Sequence, residues 1–236
     1  MHGVVLCGRQ SPVHVRRIVD LSIVLDPDTQ VYPGDPKPAF RPAATIEADG
    51  ANVLALELGS HSGTHVDAPY HFIADGPRLE DCDPGLFIGP VVIADVRHRD
   101  NREPITWEDL APCADRLGPG VILALQTAWS DRYYRTERYY RHPFLDPEAC
   151  SRILDLGVRT LAIDALNPDP TEPARSKPEF PVHRLFLSAG GVIAENLTNL
   201  SAVDFPDPLL CLFPIRLGVN ADGAPCRAVA LQLEAG

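Results

Sequence analysis

Three histidines and an aspartate fall within eleven residues, in the segment His61-Ser-Gly-Thr-His65-Val-Asp67-Ala-Pro-Tyr-His71. Imidazole nitrogens and carboxylate oxygens are ligands for a borderline divalent metal such as zinc. His61, His65, Asp67 and His71 share one parity, so an extended chain would project all four to one face. The helical H-E-x-x-H spacing does not apply, because residue 62 is Ser and both Gly63 and Pro69 oppose a helix. The rival reading is a solvated histidine-rich loop. His61, His65 and Asp67 are the first candidate metal ligands. A bound ion can lower the pKa of water from 15.7 toward ~7, which makes attack on a carbonyl carbon feasible near neutral pH. Asp67 has two carboxylate oxygens and could bridge two ions, which an imidazole nitrogen cannot. His71 follows a proline that can redirect the chain, and an ordinary imidazole pKa near 6.5 suits a general acid/base. The alternative for His71 is a further metal ligand.

The elements that must position these groups are legible in outline. Residues 53–58 alternate as a strand, with Leu54, Leu56 and Leu58 on the expected core face. The opposite parity runs through Glu57 and Gly59 toward His61. Residues 91–96 and 121–125 are apolar runs suited to buried strands. Thr106 is placed to cap a helix over 107–116, and Asp146-Pro147 opens a second helix that Gly157 can close. Residues 159–163 and 192–194 read as strands around a short helix over 181–189, and 209–215 and 227–233 form a strand-rich ending. Strands and helices alternate only in the second half, which predicts a mixed α/β fold rather than a doubly wound sheet. Gly63 and Thr64 serve the turn, with Thr64 able to support a ligand from behind. Asp164 ends a strand and suits either a site or a loop cap. Tyr32, Phe72 and Trp129, with Tyr70 and Phe87, are candidates for an aromatic substrate pocket, the alternative for each being the core.

With 236 residues and 45% hydrophobic content the chain can bury one core, so a single domain over 16–236 is expected. Residues 1–15 read as a disordered extension or a misassigned start. A net charge of −11 argues against nucleic acid or an anionic membrane as the main partner. The basic and aromatic stretch 132–141 then reads as a surface helix or a subunit contact. Six cysteines form no C-x-x-C pair, the first residues lack a signal-peptide pattern, and no apolar run approaches a membrane span. Reduced thiols in a cytoplasmic protein are expected.

The His-x-Gly-Thr-His-x-Asp-x-Pro-x-His pattern resembles the signature of the cyclase family of metal-dependent hydrolases, which includes bacterial kynurenine formamidases and isatin hydrolases. Asp20-Leu21-Ser22 and Tyr32-Pro33-Gly34-Asp35 resemble its opening segment. Thr127-Ala-Trp129 and His142-Pro143 resemble its central segment. Gly191-Val-Ile-Ala-Glu195-Asn196-Leu197 and Gly223-Ala-Pro-Cys-Arg227-Ala-Val-Ala resemble its closing motifs. The resemblance implies a swivelling β/β/α architecture. It places His183 and Glu195 at a second metal position. From the residues alone, His183 reads first as a helix-surface or capping histidine, and Glu195 as a carboxylate paired with Arg227 or a backbone amide. The resemblance implies one or two zinc ions per chain, with manganese possible through the carboxylates, and a homodimer or homotetramer. The activity implied is arylformamidase-type hydrolysis of a small-molecule N-formyl aryl amide. Two rivals stand beside it: hydrolysis of a cyclic amide, imide or lactone, and a metal-containing small-molecule binding module. Structural zinc sites favour four closed ligands and cysteine, and no cysteine lies near this cluster.

Overall fold

The computed structural model describes residues 13–171, 179–218 and 220–235. Its strands, in chain order, are β1 (Val13–Asp20), β2 (Ala39–Ala44), β3 (Val53–Glu57), β4 (His65–Asp67), β5 (Ile88–Asp95), β6 (Pro104–Ile105), β7 (Ile122–Gln126), β8 (Phe144–Leu145), β9 (Thr160–Ile163), β10 (Val192–Glu195), β11 (Leu209–Cys211), β12 (Gly223–Pro225) and β13 (Val229–Ala235). The helices are α1 (Ile46–Asp49), α2 (Trp107–Leu110), α3 (Trp129–Tyr133), α4 (Pro147–Asp155) and α5 (Pro181–Ser188). Nine strands form one mixed sheet in the order β1-β13-β11-β5-β7-β9-β10-β4-β12. The central strands β5, β7, β9 and β10 are parallel. The flanking pairings are antiparallel. The mixed α/β expectation therefore holds.

β7, β9 and β10 are buried throughout, which is why they read as unbroken apolar runs rather than alternating ones. Their alternate residues feed two cores, one on each face of the sheet. Leu123, Leu125, Leu161, Ile163 and Ile193 pack with Ala149, Cys150 and Ile153 of α4 and Val182 and Phe186 of α5. Ile122, Ala124, Ala162, Val192 and Ala194 pack on the other side with Val66, Leu210, Ala224 and Ala230. α4 starts as its sequence dictates: the Asp146 carboxylate accepts from the Glu148 and Ala149 amides, and Pro147 occupies the first turn.

Several boundaries differ from the sequence expectation. The alternation at 53–58 does make a strand, but β3 pairs only with β2 in a separate ribbon. Leu54 and Leu56 are each 58% exposed, so their face is not the core face. Alternation specifies a strand with unlike faces and is silent on what covers the apolar one. β3 ends at Glu57 and does not carry its parity to His61. The helix expected over 107–116 tightens into a 3-10 helix at Ala111–Arg116, where Pro112 removes an amide donor. The strand expected over 209–215 ends at Cys211. Residues 13–15, expected to be disordered, pair with 233–235 in β1 and β13, while 1–12 lie outside the described residues.

One buried histidine ties the fold to pH. His142 donates from Nδ1 to the Pro143 carbonyl at 2.9 Å, and its Nε2 accepts from the Thr171 hydroxyl at 2.7 Å. Burial pushes its pKa down from 6.5 to about 4. The unfolded chain takes up this proton first as pH falls, so stability is full above 6.5 and is lost toward about 4. Denaturant titrations at about pH 7.5 and about pH 5 should show the parent losing roughly 2 kcal/mol more than His142→Gln. The ligand-type histidines titrate in both proteins and cancel in the difference. Equal losses would contradict a buried neutral His142.

Candidate metal centre

The sheet register builds half of the site. β4 lies between β10 and β12, with Glu195 opposite His65 and Ile193 opposite Asp67. Directly opposed residues share a face, so His65, Asp67 and Glu195 point to the side on which Ile193 meets α5. α5 supplies His183 from its first turn. Asp169 fixes that turn: its carboxylate accepts from the amides of Val182 and His183 at 3.0 Å each, and from His183 Nδ1 at 2.7 Å.

His61 and His71 arrive by chain reversals, not by strand parity. β4 is only three residues long. His61 precedes it in a turn that Gly63 makes possible with φ +65, where an added Cβ would stand 2.5 Å from Leu25 Cδ2. His71 ends a 3-10 turn begun by Pro69. A single extended face for all four groups is therefore not what forms, although the four do meet. Gly223, opposite Asp67, leaves room for the His61 ring: a Cβ there would lie 2.9 Å from His61 Cε1. Thr64 braces the turn, donating to the Asn196 carbonyl at 2.6 Å and accepting from the Ile23 amide at 2.9 Å.

The geometry is tight. His65 Nε2 stands 3.3 Å from Asp67 Oδ1 and 3.4 Å from Glu195 Oε2. His183 Nε2 stands 3.1 Å from Glu195 Oε1 and 3.5 Å from Asp67 Oδ2. His61 Nδ1 lies 2.7 Å from Asp67 Oδ1. His71 stacks on His61 with ring centroids 4.0 Å apart. One His71 nitrogen is within 4.8 Å of ligand-type atoms of Asp67 and His183. Each of the three inner histidines has its other nitrogen anchored: His65 Nδ1 donates to the Gly63 carbonyl, His183 Nδ1 to Asp169, and His61 Nε2 faces Asp222 at 3.0 Å. Such anchoring fixes the tautomer and aims the free lone pair.

Three of the atoms aimed inward have no hydrogen-bond partner among the described residues. His65 Nε2, Asp67 Oδ2 and Glu195 Oε1 are buried without a hydrogen-bond partner. Buried polar atoms left this way are costly, and two carboxylates here crowd the same imidazole nitrogen. A divalent cation satisfies that donor set; His61, His65 and Asp67, with His183 and Glu195, could hold one or two ions. The protein's own field has the same sign. Burial lowers the proton affinity of His65, yet Asp67 and Glu195 outweigh it and raise its pKa to about 10. Burial opposes protonation of His61 too, and Asp67 and Asp222 outweigh it, raising it to about 9. Burial alone would raise Asp67, but the surrounding imidazoles, His61 foremost, hold it well below the ordinary carboxylate range.

A cleft of ≈ 430 Å³ opens over the cluster, with Tyr32, Phe72 and Phe180 on its walls and His61, His71, His183 and Glu195 at its floor. Phe72 packs 4.8 Å from the His183 ring and 5.1 Å from Phe180. Tyr32 and Phe72 thus lie where the sequence suggested. Trp129 does not: it is fully buried in the core and donates from Nε1 to the Tyr139 carbonyl at 3.1 Å. Tyr70 lies against Arg78, and Phe87 is in the opposite core. Asp164 is a loop cap, accepting from the Thr127 amide and hydroxyl and the Ala128 amide. Arg227 pairs with Asp20 rather than Glu195. Sequence reasoning missed Asp169 and Asp222. Asp169 sits in an Asn-Pro-Asp-Pro loop without a motif, and Asp222 immediately precedes Gly223 in a closing motif where an Asp-Gly pair signals only a turn.

The chain matches the family described as "Putative cyclase" over residues 19–170. It is 34% identical over 216 residues to the kynurenine formamidase of Geobacillus thermodenitrificans, covering 91% of this chain and 97% of that protein. It is 31% identical over 220 residues to the kynurenine formamidase of Delftia acidovorans, covering 92% and 99%. Among solved structures, isatin hydrolase A of Labrenzia aggregata bound to benzyl benzoate matches with a TM-score of 0.81 at 26% identity, covering 93% of each chain. An isatin hydrolase bound to the product analogue thioisatinate shares the fold with a TM-score of 0.82 at 24% identity, covering 94% of this chain and 93% of that one.

Proposed function

The chain belongs to the putative cyclase family, and we propose that it is a metal-dependent amidohydrolase of arylformamidase type, cleaving an N-formyl aryl amide to formate and the free amine. The observation that carries the reading is the set of buried atoms without a hydrogen-bond partner on Glu195, at the floor of an aromatic cleft, and on His65 and Asp67 next to it. His61, His65 and Asp67 would hold one divalent ion, and Asp67, His183 and Glu195 are placed to hold a second. Zinc suits this nitrogen-rich set, with manganese the next choice through the carboxylates. A bound ion here supplies Lewis acidity, activating water and polarising the carbonyl.

The chain's own groups do the rest. A formyl carbonyl is the smallest acyl group and reaches a floor this crowded. The aryl ring lies between Phe72, Phe180 and Tyr32. His71, above His61 at the cleft floor, takes a proton from the attacking water and delivers it to the leaving nitrogen.

No helix among the described residues is long and apolar enough to cross a membrane. The described cysteines are all free thiols, which supports a reducing, cytoplasmic setting. Assembly as a homodimer or homotetramer is supported by the β2–β3 ribbon. A lone two-stranded ribbon is marginal in water, and this one exposes Val53, Leu54 and Leu56, with Ile46 exposed on the α1 turn that joins its strands. It is a better contact than 132–141, where Tyr139 is buried and donates to Asn196.

Zinc-loaded protein should hydrolyse N-formyl aryl amides, lose that activity on chelation and regain it with zinc. His71→Ala should retain zinc while turnover falls about 10²–10⁴-fold. Loss of metal in that variant would make His71 a ligand, and a panel on which only cyclic amides or lactones turn over would overturn the formamidase assignment. Sedimentation at micromolar concentrations should give a dimer or larger, and Leu54→Glu with Leu56→Glu should shift it toward monomer; a parent that sediments as a monomer would refute the assembly.

A further inference from the structure

Asp222 stands where two functions meet. Its Oδ2 lies 3.0 Å from His61 Nε2 and 3.4 Å from His71 Nδ1. The two rings it touches are stacked with centroids 4.0 Å apart. The carboxylate is held in turn by its backbone, because the Asp222 carbonyl accepts from the Ala68 amide at 2.9 Å where β12 begins to pair with β4. Its position is therefore set by the same sheet that places His65 and Asp67.

Consider what one acceptor does to each ring. At His61 it accepts from Nε2, which would leave the Nδ1 lone pair for an ion held beside Asp67, whose Oδ1 lies 2.7 Å from Nδ1. At His71 the carboxylate stands 3.4 Å from Nδ1, which favours the tautomer with the proton there and leaves Nε2 as the basic nitrogen. The inner histidines His65 and His183 each have a private anchor, in the Gly63 carbonyl and in Asp169. His61 alone shares its anchor with a residue outside the inner set.

We propose that Asp222 is a positioning residue that sets two histidines at once, aiming His61 at the metal and fixing the tautomer and orientation of His71 for proton transfer. The proposal deepens the arylformamidase reading and rests on it for the His71 half. The His61 half requires only a metal.

The experiment compares the parent with Asp222→Asn and Asp222→Glu as full-length protein. Zinc affinity is read by competition with a chromophoric chelator, stoichiometry at saturating zinc by metal analysis, and folding by thermal melting. Turnover at saturating zinc is read on N-formylanilines whose leaving amines differ in basicity. For Asp222→Asn we expect zinc affinity to fall about 10–100-fold, the usual effect of losing an anchor behind a ligand. We expect kcat at saturating zinc to fall about 10²-fold with KM nearly unchanged, and the loss to be greatest for the most basic leaving amine. Asp222→Glu should recover part of both effects. Three results would overturn the proposal: parental affinity and kcat in a folded Asp222→Asn, weakened zinc with parental kcat at saturation, or the loss of one whole ion from the stoichiometry, which would make Asp222 an outer ligand instead. Chelator competition needs no substrate, so a parent inert toward every formanilide would strike the substrate assignment while the zinc result still judges the His61 half.

Discussion

Two carboxylates, Asp67 and Glu195, are buried side by side within 3.3–3.4 Å of the same imidazole nitrogen. Bringing like charges together away from water is costly unless a cation or protons accompany them. Around this pair the rest of the site makes sense. His61, His65 and His183 surround it, and each turns a proton-bearing nitrogen outward to an anchor. The lone pairs left facing inward would repel one another without a positive charge at their centre. Protons on the imidazoles supply part of that charge, since Asp67 and Glu195 raise the pKa of His65 to about 10, and a bound divalent ion would supply it while also activating water.

That arrangement asks the fold for a rigid frame, and the frame is the three-strand edge β10-β4-β12. β4 is short, but it is paired on both sides and buried throughout. A one-residue slip against β10 would turn Glu195 away from His65 and put Ala194 in its place. The apolar alternation of β10, with Ile193 in one core and Val192 and Ala194 in the other, fixes that register. Packing of α5 on the Ile193 side then delivers His183. Catalytic geometry here is a by-product of how two cores are filled.

How much of this is legible in the sequence follows from the range of each interaction. His61, His65, Asp67 and His71 are local, and their density announces a metal site even though the parity argument gives the wrong reason for His61 and His71. Turns at Gly63 and Pro69 bring those two in, and turn geometry is harder to read than alternation. His183 and Glu195 lie far along the chain and are found only through family resemblance, because long-range pairing leaves no local trace. Asp169 and Asp222 are invisible for the same reason: a lone aspartate beside proline or glycine reads as a turn. Leu54 and Leu56 mislead in the other direction, since an apolar stripe left exposed looks the same in sequence as one that fills a core. Trp129 shows the ordinary fate of a large aromatic, filling the core rather than the cleft.

The central claim is that five side chains from three parts of the chain converge on metal. The most direct measurement is anomalous X-ray diffraction at the zinc edge from crystals of zinc-loaded protein. Strong anomalous density is expected within the space enclosed by His61, His65, Asp67, His183 and Glu195, with Asp67 in contact with each ion if two are present. Density elsewhere on the molecule, or none in that space at saturating zinc, would contradict it.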